Sequence, residues 1–94
     1  MNKFDLKNKL AIVTGGVQGF GLDIAKKFLS FGARVRICDI DETELKKALK
    51  NENNPNLNYD IVDVSNFDNV NKTVKDIAKN SKIDILINNA GITG

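Results

Sequence analysis

The sequence predicts an α/β fold in which a parallel β-sheet carries helices on both faces. Four short apolar segments alternate with three segments whose apolar residues recur at helical spacing, in the order β-α-β-α-β-α-β. A glycine-rich turn joins the first apolar segment to the first helical one. Because crossovers between parallel strands are right-handed, this order predicts a doubly wound, Rossmann-type sheet with the strand order 3-2-1-4.

The predicted strands are short and mostly apolar, as is typical of strands that are covered on both faces. They are Lys9–Thr14, Ala33–Asp39, Leu57–Val62 and Ile83–Ile87. The first helix is predicted from Gly19 to Phe31, and Gly32 fits the position just past its end, where a left-handed residue is favoured.

Two polar pairs are predicted to start the other helices. Asp41 with Glu44 reads as an N-cap and its capping-box partner, and Ser65 with Asp68 opens the third helix. The buried faces predicted for these helices are Leu45, Ala48 and Leu49 in the second, and Val70, Val74, Ile77 and Ala78 in the third. A loop over residues 51–56 is predicted between the second helix and the third strand.

Composition limits the classes of function. The chain has 94 residues, a net charge of +2, no His and one Cys. We expect one domain over residues 1–94, and the interleaved charges argue against a nucleic-acid surface. Cys38 cannot form an internal disulfide, no zinc site is expected, and we interpret Cys38 as a core residue. No apolar run approaches a membrane span and no signal peptide is recognised, so a cytoplasmic protein without a membrane partner is expected.

The turn after the first strand has the features of a phosphate site. Gly15, Gly19 and Gly21 form Thr-Gly-x-x-x-Gly-x-Gly directly before a helix. The first N–H groups of a helix lack internal partners and attract negative charge, and glycine lets the backbone approach a pyrophosphate closely. The G-x-G-x-x-G pattern would need Gly or Ala where Ile24 stands, and the Gly-Lys-Ser/Thr of a P-loop is absent. A plain strand-to-helix turn remains the alternative.

A second motif, Asn88-Asn89-Ala90-Gly91, follows the fourth predicted strand. With both motifs, the chain resembles the classical subtype of the short-chain dehydrogenase/reductase family from Lys7 to Gly94. The resemblance implies that Asn88 bonds to the backbone across the central sheet. It also implies a set of cofactor-binding residues in the two motifs: Gly15, Val17, Gln18, Gly19, Phe20, Gly21, Asn89, Ala90 and Gly91.

Asp39 bears on which dinucleotide is bound. A carboxylate at the end of the second strand can accept hydrogen bonds from both hydroxyls of the adenosine ribose, and it would repel the 2′-phosphate of NADP. In the family, a basic residue just before the second glycine often marks NADP, and Gln18 stands there. We therefore expect NAD. Arg34 and Arg36 keep NADP open as an alternative, and a helix cap is the alternative role for Asp39.

Asp63 and Val64 end the third predicted strand and match the Asp-Val pair of the family. The resemblance implies that Asp63 accepts a hydrogen bond from the adenine amino group, with the Val64 backbone beside it, and it places Ile40 in the cofactor site too. An ordinary turn aspartate, as Asp60 could be, is the alternative. The polar groups at the strand ends should meet at one edge of the sheet, where such folds bind ligands.

The family's catalytic residues have no counterpart in this chain. Classical members carry a serine and Tyr-x-x-x-Lys beyond Asn-Asn-Ala-Gly, whereas the only tyrosine here, Tyr59, is followed four positions later by Asp63. We therefore interpret residues 1–94 as the cofactor-binding half of an oxidoreductase of alcohols or ketones, cut after the fourth strand, which alone is inactive. A 3-oxoacyl-thioester reductase is one possible type, the full-length protein is expected to be a homo-oligomer, and a non-catalytic nucleotide-binding module is the alternative.

Overall fold

The computed structural model describes residues 5–15 and 19–88. The strands are β1 (Leu10–Thr14), β2 (Arg34–Asp39), β3 (Leu57–Ile61) and β4 (Ile85–Asn88). The helices are α1 (Gly19–Ser30), α2 (Glu42–Glu52) and α3 (Phe67–Ala78). The strands form a parallel sheet in the order β3-β2-β1-β4, so the predicted fold class and strand order are confirmed.

Strand β1 lies at the centre of the sheet, and all of its residues are buried. In the register, Thr14 is opposite Cys38 of β2 on one side and Asn88 of β4 on the other. The carboxyl ends of these three strands therefore lie at one edge of the sheet, which we call the carboxyl edge.

The two faces of the sheet carry different helices. On the face of α1 and α2, side chains from strands and helices form the larger core cluster: Ala11, Val13, Ala25, Leu29, Ala33, Val35, Ile37, Leu45 and Leu57. On the face of α3, Ile12, Cys38 and Val62 form a smaller cluster of buried residues, with Val70 and Ile77 of α3 packed against them. Ala11 belongs to the larger cluster and Ile12 to the smaller one, because successive side chains of a strand point to opposite faces. Both faces of β1 are therefore covered.

The second helix is longer than predicted. It ends at Glu52, because Asn53 adopts a left-handed conformation (φ 47°) and its N–H donates to the carbonyl of Leu49. The loop predicted over 51–56 therefore begins only at Asn53. Gly32 has φ 93°, which confirms the left-handed residue predicted just past the end of α1. A Cβ added at Gly32 would lie 3.5 Å from the Lys7 backbone nitrogen.

The third helix begins later than predicted. Its N-cap is Asn66, whose side chain accepts from the N–H of Asn69, whereas Ser65 is bonded to Asp63 instead. Ala78 is exposed, so its assignment to the buried face was wrong. The remaining apolar residues predicted for that face are only partly buried.

The fourth strand begins at Ile85 rather than Ile83. The backbone N–H of Asp84 donates to the carbonyl of Leu10, and the Asp84 carboxylate accepts from the N–H of Leu10, so this residue closes the start of β1 instead of extending the ladder. The other predicted strand and helix ends differ by at most one residue from those observed. None of the helices in the described ranges has the length and apolar character needed to cross a bilayer.

Candidate functional site

The turn after β1 needs glycine at its first position. Gly15 has φ 66°, a conformation that side-chain-bearing residues rarely adopt, and its N–H donates to the Cys38 carbonyl at 2.7 Å. Helix α1 starts at Gly19 and has no acidic residue in its first turn, so no carboxylate of its own offsets the positive end of its dipole. Gly21 is buried and Phe20 is 79% exposed. Val17 and Gln18 lie outside the described residues.

Thr14 and Asn88 join the carboxyl ends of β1 and β4. The Thr14 side chain is buried, and its Oγ1 donates to Asn88 Oδ1 at 3.0 Å, with the Ile87 carbonyl at 3.4 Å as a weaker second acceptor. Asn88 thus bonds across the sheet, but its side-chain partner is a hydroxyl rather than the predicted backbone group. In this arrangement Asn88 Oδ1 faces Thr14 and the NH₂ group is turned away from it. Asn89, Ala90 and Gly91 lie outside the described residues.

Asp39 ends β2 at the same edge. Its Oδ1 accepts from the N–H of Asp41 at 3.1 Å, and Asp41 in turn caps α2 by accepting from the N–H of Glu44 at 3.1 Å. The predicted capping box was therefore half right, because Asp39 and not Glu44 bonds to the N-cap N–H. No group in the described part of the chain bonds to Asp39 Oδ2, and the neighbouring Ile40 is 62% exposed.

Asp63 lies in the turn between β3 and α3. Its Oδ1 accepts from both the N–H and the hydroxyl of Ser65, at 3.0 and 2.6 Å. These bonds to Ser65 are those expected of an ordinary turn aspartate, and they also hold the carboxylate in place. The other oxygen, Oδ2, has no partner among residues 5–15 and 19–88. Val64 packs against the buried cluster on the α3 face, so its side chain serves the fold and only its backbone is available to a ligand.

The two arginines of β2 lie away from the carboxyl edge. Arg36 forms a bidentate pair with Asp60, with Nε and NH2 at 2.8 and 2.9 Å from the two carboxylate oxygens. The hydrogen bond to Asp60 raises the pKa of Arg36. Asp60 lies within β3, so the alternative that it is a turn aspartate was wrong. Arg34 is the first residue of β2, about 16 Å from Asp39 at the usual rise of about 3.3 Å per residue.

Cys38 is a core residue, as predicted. Its side chain is buried against Ile12 and Val62, and burial raises the pKa of the thiol to about 12. A thiol with this pKa stays protonated at neutral pH, so it is a weak nucleophile. The part of the chain that the structure describes contains no cluster of acidic, His and Cys side chains able to hold a metal ion.

Comparison with known proteins identifies the family. The sequence pattern of the short chain dehydrogenases matches residues 9–94. The chain belongs to the short chain dehydrogenase family. The match includes the glycine turn, Asp39, Asp63 and the Asn-Asn-Ala-Gly motif, so the resemblance drawn from these residues is confirmed.

Several relatives in this family are oxidoreductases of known name. The 3-oxoacyl-[acyl-carrier-protein] reductase FabG of Chlamydia muridarum is 45% identical over 92 residues, which are 94% of this chain and 37% of that protein. Zerumbone synthase of Zingiber zerumbet is 41% identical over 91 residues, or 95% of this chain and 34% of the synthase. The chain therefore spans about a third of the length of these two relatives.

Solved structures of dehydrogenases share the fold. The 2-keto-3-deoxy-D-gluconate dehydrogenase of Streptococcus agalactiae superposes with a TM-score of 0.81 at 33% identity, covering 97% of this chain and 35% of that one. The Pseudomonas aeruginosa RhlG/NADP active-site complex superposes with a TM-score of 0.79 at 31% identity, covering 92% of this chain and 35% of that one. This likeness extends over β1 to β4.

Proposed function

We propose that this chain binds NAD at the carboxyl edge and forms the cofactor-binding part of an oxidoreductase that acts on alcohols or ketones. The observation that carries the proposal is the position of Asp39, which ends β2 next to the glycine turn after β1 and has one carboxylate oxygen without a partner among residues 5–15 and 19–88. In a doubly wound sheet this is the edge at which dinucleotides bind.

Each part of the cofactor has a candidate partner at this edge. The N-terminus of α1, preceded by the Gly15 turn, suits the pyrophosphate, because its dipole is not offset by an acidic residue in the first turn. Asp39 would accept hydrogen bonds from the ribose hydroxyls and Asp63 from the adenine amino group. The remaining proposed contacts are Val17, Gln18, Gly19, Phe20, Gly21, Ile40, Val64, Asn89, Ala90 and Gly91. When bound, the nicotinamide ring would accept a hydride from an alcohol in its oxidised form, or donate one to a ketone in its reduced form.

The choice of NAD over NADP rests on charge. The Asp39 carboxylate would repel a 2′-phosphate, whereas an arginine close to the ribose would attract it. Arg36 is already paired with Asp60, and Arg34 stands at the opposite end of β2. Both arginines are therefore poorly placed to favour NADP.

The chemistry of substrate reduction is proposed to need residues beyond this chain. Tyr59 lies within β3 and packs against the core cluster on the α1 face, so it is not a proton donor at the carboxyl edge. A serine and a Tyr-x-x-x-Lys motif in the longer protein would supply the proton and position the carbonyl. The similarity to 3-oxoacyl-[acyl-carrier-protein] reductases favours a 3-oxoacyl thioester as the substrate class.

A calorimetric titration with NADH tests the proposal on this chain. The wild type is expected to bind NADH, and Gly19→Val is expected to abolish binding because a β-branched side chain would crowd the pyrophosphate. Gly32→Ala, which strains the turn at the other end of α1, serves as the control for loss of helix stability. No binding by a folded wild type, or unchanged affinity in Gly19→Val, would contradict the proposed site.

A dehydrogenase assay separates the enzyme from a non-catalytic binding module. The chain alone is expected to give no NADH formation with any alcohol. The longer protein that contains it is expected to turn over if it carries Tyr-x-x-x-Lys, and to bind NADH without turnover if it does not. Turnover by the 94-residue chain itself would overturn the assignment of the chemistry to later residues.

A further inference from the structure

The turn between β3 and α3 contains a hydroxyl group that is not used to cap the helix. Asn66 caps α3 by accepting from the N–H of Asn69 at 3.2 Å, and its own N–H donates to the Asp63 carbonyl at 3.0 Å. Ser65 lies between Asp63 and the cap with an exposed side chain, and its Oγ donates to Asp63 Oδ1 at 2.6 Å. The hydroxyl of Ser65 therefore acts on the Asp63 carboxylate rather than on the helix.

Asp63 is held differently from Asp39, the other carboxylate proposed to contact the cofactor. Asp39 Oδ1 accepts a backbone N–H at 3.1 Å. Asp63 Oδ1 accepts both the N–H of Ser65 at 3.0 Å and its hydroxyl at 2.6 Å. Rotation about the Cβ–Cγ bond of aspartate is otherwise broad, and a hydroxyl bonded to a carboxylate makes a short, strong hydrogen bond. The hydroxyl thus holds the plane of the Asp63 carboxylate more firmly than a backbone N–H alone holds that of Asp39.

The two proposed partners need different degrees of order in the acceptor. The adenosine ribose offers two hydroxyls, and each can rotate its hydrogen toward an acceptor. The amino group of adenine lies in the plane of a rigid ring, so its N–H bonds have fixed directions. An acceptor for that amino group gains from being oriented in advance. Asp63 Oδ2, which has no partner among residues 5–15 and 19–88, is the oxygen that remains for it.

We propose that Ser65 is a positioning residue for recognition of the base, because its hydroxyl orients Asp63 so that Oδ2 accepts from the adenine amino group. This inference rests on the proposed function and adds to it the source of base selectivity. A dinucleotide with hypoxanthine in place of adenine has a carbonyl oxygen where the amino group stands, and the oriented carboxylate would repel it. A site built around a hydrogen bond rejects an analogue that cannot form it.

A purely structural role for Ser65 predicts a different result. Ser65→Ala keeps the N–H that donates to Asp63, the Asn66 cap and the backbone bond from Asn66 to Asp63. Because the hydroxyl is at the surface, its removal should leave the free energy of unfolding in urea almost unchanged. A structural role would lower stability and weaken every dinucleotide alike, whereas a positioning role changes the ratio of two affinities.

Titration calorimetry with two dinucleotides tests the proposal. NADH and reduced nicotinamide hypoxanthine dinucleotide would each be added to the 94-residue chain. We expect the wild type to prefer NADH, and we expect Ser65→Ala to lower this preference by about threefold to tenfold, because one of the two donors to Asp63 Oδ1 is lost. Ser65→Thr should restore the preference, since threonine keeps the hydroxyl.

Two further variants serve as controls. Ser30→Ala removes another exposed hydroxyl with a 2.6 Å bond, to the Lys27 carbonyl at the end of α1, and should leave the preference unchanged. Asp63→Ala should itself lower the preference. Adding Ser65→Ala to Asp63→Ala should have no further effect, because the hydroxyl acts through the carboxylate.

The outcomes separate this inference from the proposed function. The positioning role is overturned, while NADH binding stands, by an unchanged preference in Ser65→Ala, by an equal loss in Ser65→Thr or Ser30→Ala, or by an effect of Ser65→Ala that persists beside Asp63→Ala. A folded wild type that binds both dinucleotides equally would overturn the contact between Asp63 and adenine and this inference with it. A folded wild type that binds neither would overturn the proposed function as well.

Discussion

Two pairs of aspartates in this chain are used in different ways. Asp60 lies within a strand and Asp84 just before one, and each bonds to a distant part of the chain. Asp60 accepts from Nε and NH2 of Arg36, and Asp84 accepts from the N–H of Leu10. Asp39 and Asp63 lie at or just beyond strand ends. Within the described part of the chain, the side chain of each bonds only to groups two residues away and through a single oxygen. The first pair connects distant segments, while the second pair holds local turns.

This difference separates carboxylates that stabilise the fold from those available to a ligand. A carboxylate that accepts from a strand N–H or a guanidinium already has its charge paired within the fold. Removing it should therefore lower the stability of the folded chain. A carboxylate with an oxygen available at the proposed cofactor-binding edge is expected to be lost with little cost in stability but a large effect on binding. Substitutions in the two pairs should therefore change different measurements.

The largest effect is expected at Asp84. Its side chain is 14% exposed, and Asp84→Ala would leave the Leu10 N–H at the start of the central strand without its acceptor. We expect a loss of about 2–3 kcal/mol in the free energy of unfolding, as for a hydrogen bond to a charged group. Urea unfolding measures this, with Asp84→Asn, which keeps an acceptor oxygen, as the milder control. If Asp84→Ala changed the free energy of unfolding by less than about 0.5 kcal/mol, Asp84 would not stabilise the start of β1.

Asp60→Ala should have the next largest effect. It leaves the Arg36 guanidinium without its bidentate partner, but both side chains are partly exposed, at 33% and 22%, which limits the penalty. We expect a loss of about 1–2 kcal/mol in the free energy of unfolding, less than for a fully buried pair. Replacing both residues, as Arg36→Met/Asp60→Leu, should recover part of this loss. A double variant less stable than Asp60→Ala would contradict this account.

Asp39→Ser should change binding and leave stability almost unchanged. Removing the carboxylate removes ribose hydrogen bonds and the repulsion of a 2′-phosphate, so the NAD-to-NADP affinity ratio should fall by about tenfold or more. Asp41→Ser is the matched control, because it removes the same charge two residues away and serine still caps a helix. Titrations with both cofactors measure the ratio. A wild type that already prefers NADP would show that the assignment of Asp39 is wrong.

At neutral pH the smallest effect is expected at Cys38, because its contribution to stability changes only in alkali. Burial raises its pKa to about 12 in the folded chain, whereas an unfolded cysteine titrates near 8.5. Below about pH 8 the thiol is protonated in both states and contributes no pH dependence. As the pH rises toward 12, the unfolded state releases this proton first, so stability should fall. The decline should be shallower in Cys38→Ala when unfolding is measured from pH 8 to 11, and equal slopes would contradict the burial of the thiol.

The sequence predicted the fold better than it predicted individual contacts. Periodicity and crossover handedness gave the order of β1 to β4, because apolar patterns record which faces are buried. The capping box failed at Glu44, since Asp39 stands two residues before the cap and reaches the same N–H. The contacts of Asp60 and Asp84 could not be predicted, because they depend on strand register, which brings residues distant in sequence together.

The site was predicted mainly through motifs. The glycine turn, Asp39 and Asp63 were predicted from their positions at strand ends, and the structure brings the ends of β1, β2 and β4 to one edge. The bond from Thr14 to Asn88 was missed because it joins the two motifs across the sheet. Thr14 and Asn88 end neighbouring parallel strands, and side chains at paired positions point to the same face of a sheet. Applying this rule to the predicted strand order would have predicted the bond.

The most direct test of the central claim is to map NAD onto the chain by NMR. Backbone amide shifts would be recorded for the 94-residue chain as NAD is added. The account predicts shifts at the carboxyl edge, at Gly15, Asp39, Asp63 and Asn88, and none at the opposite ends of the strands, at Leu10, Arg34 and Asp84. Shifts concentrated at Leu10, Arg34 and Asp84, or no shifts in a folded chain at saturating NAD, would contradict a dinucleotide site at this edge.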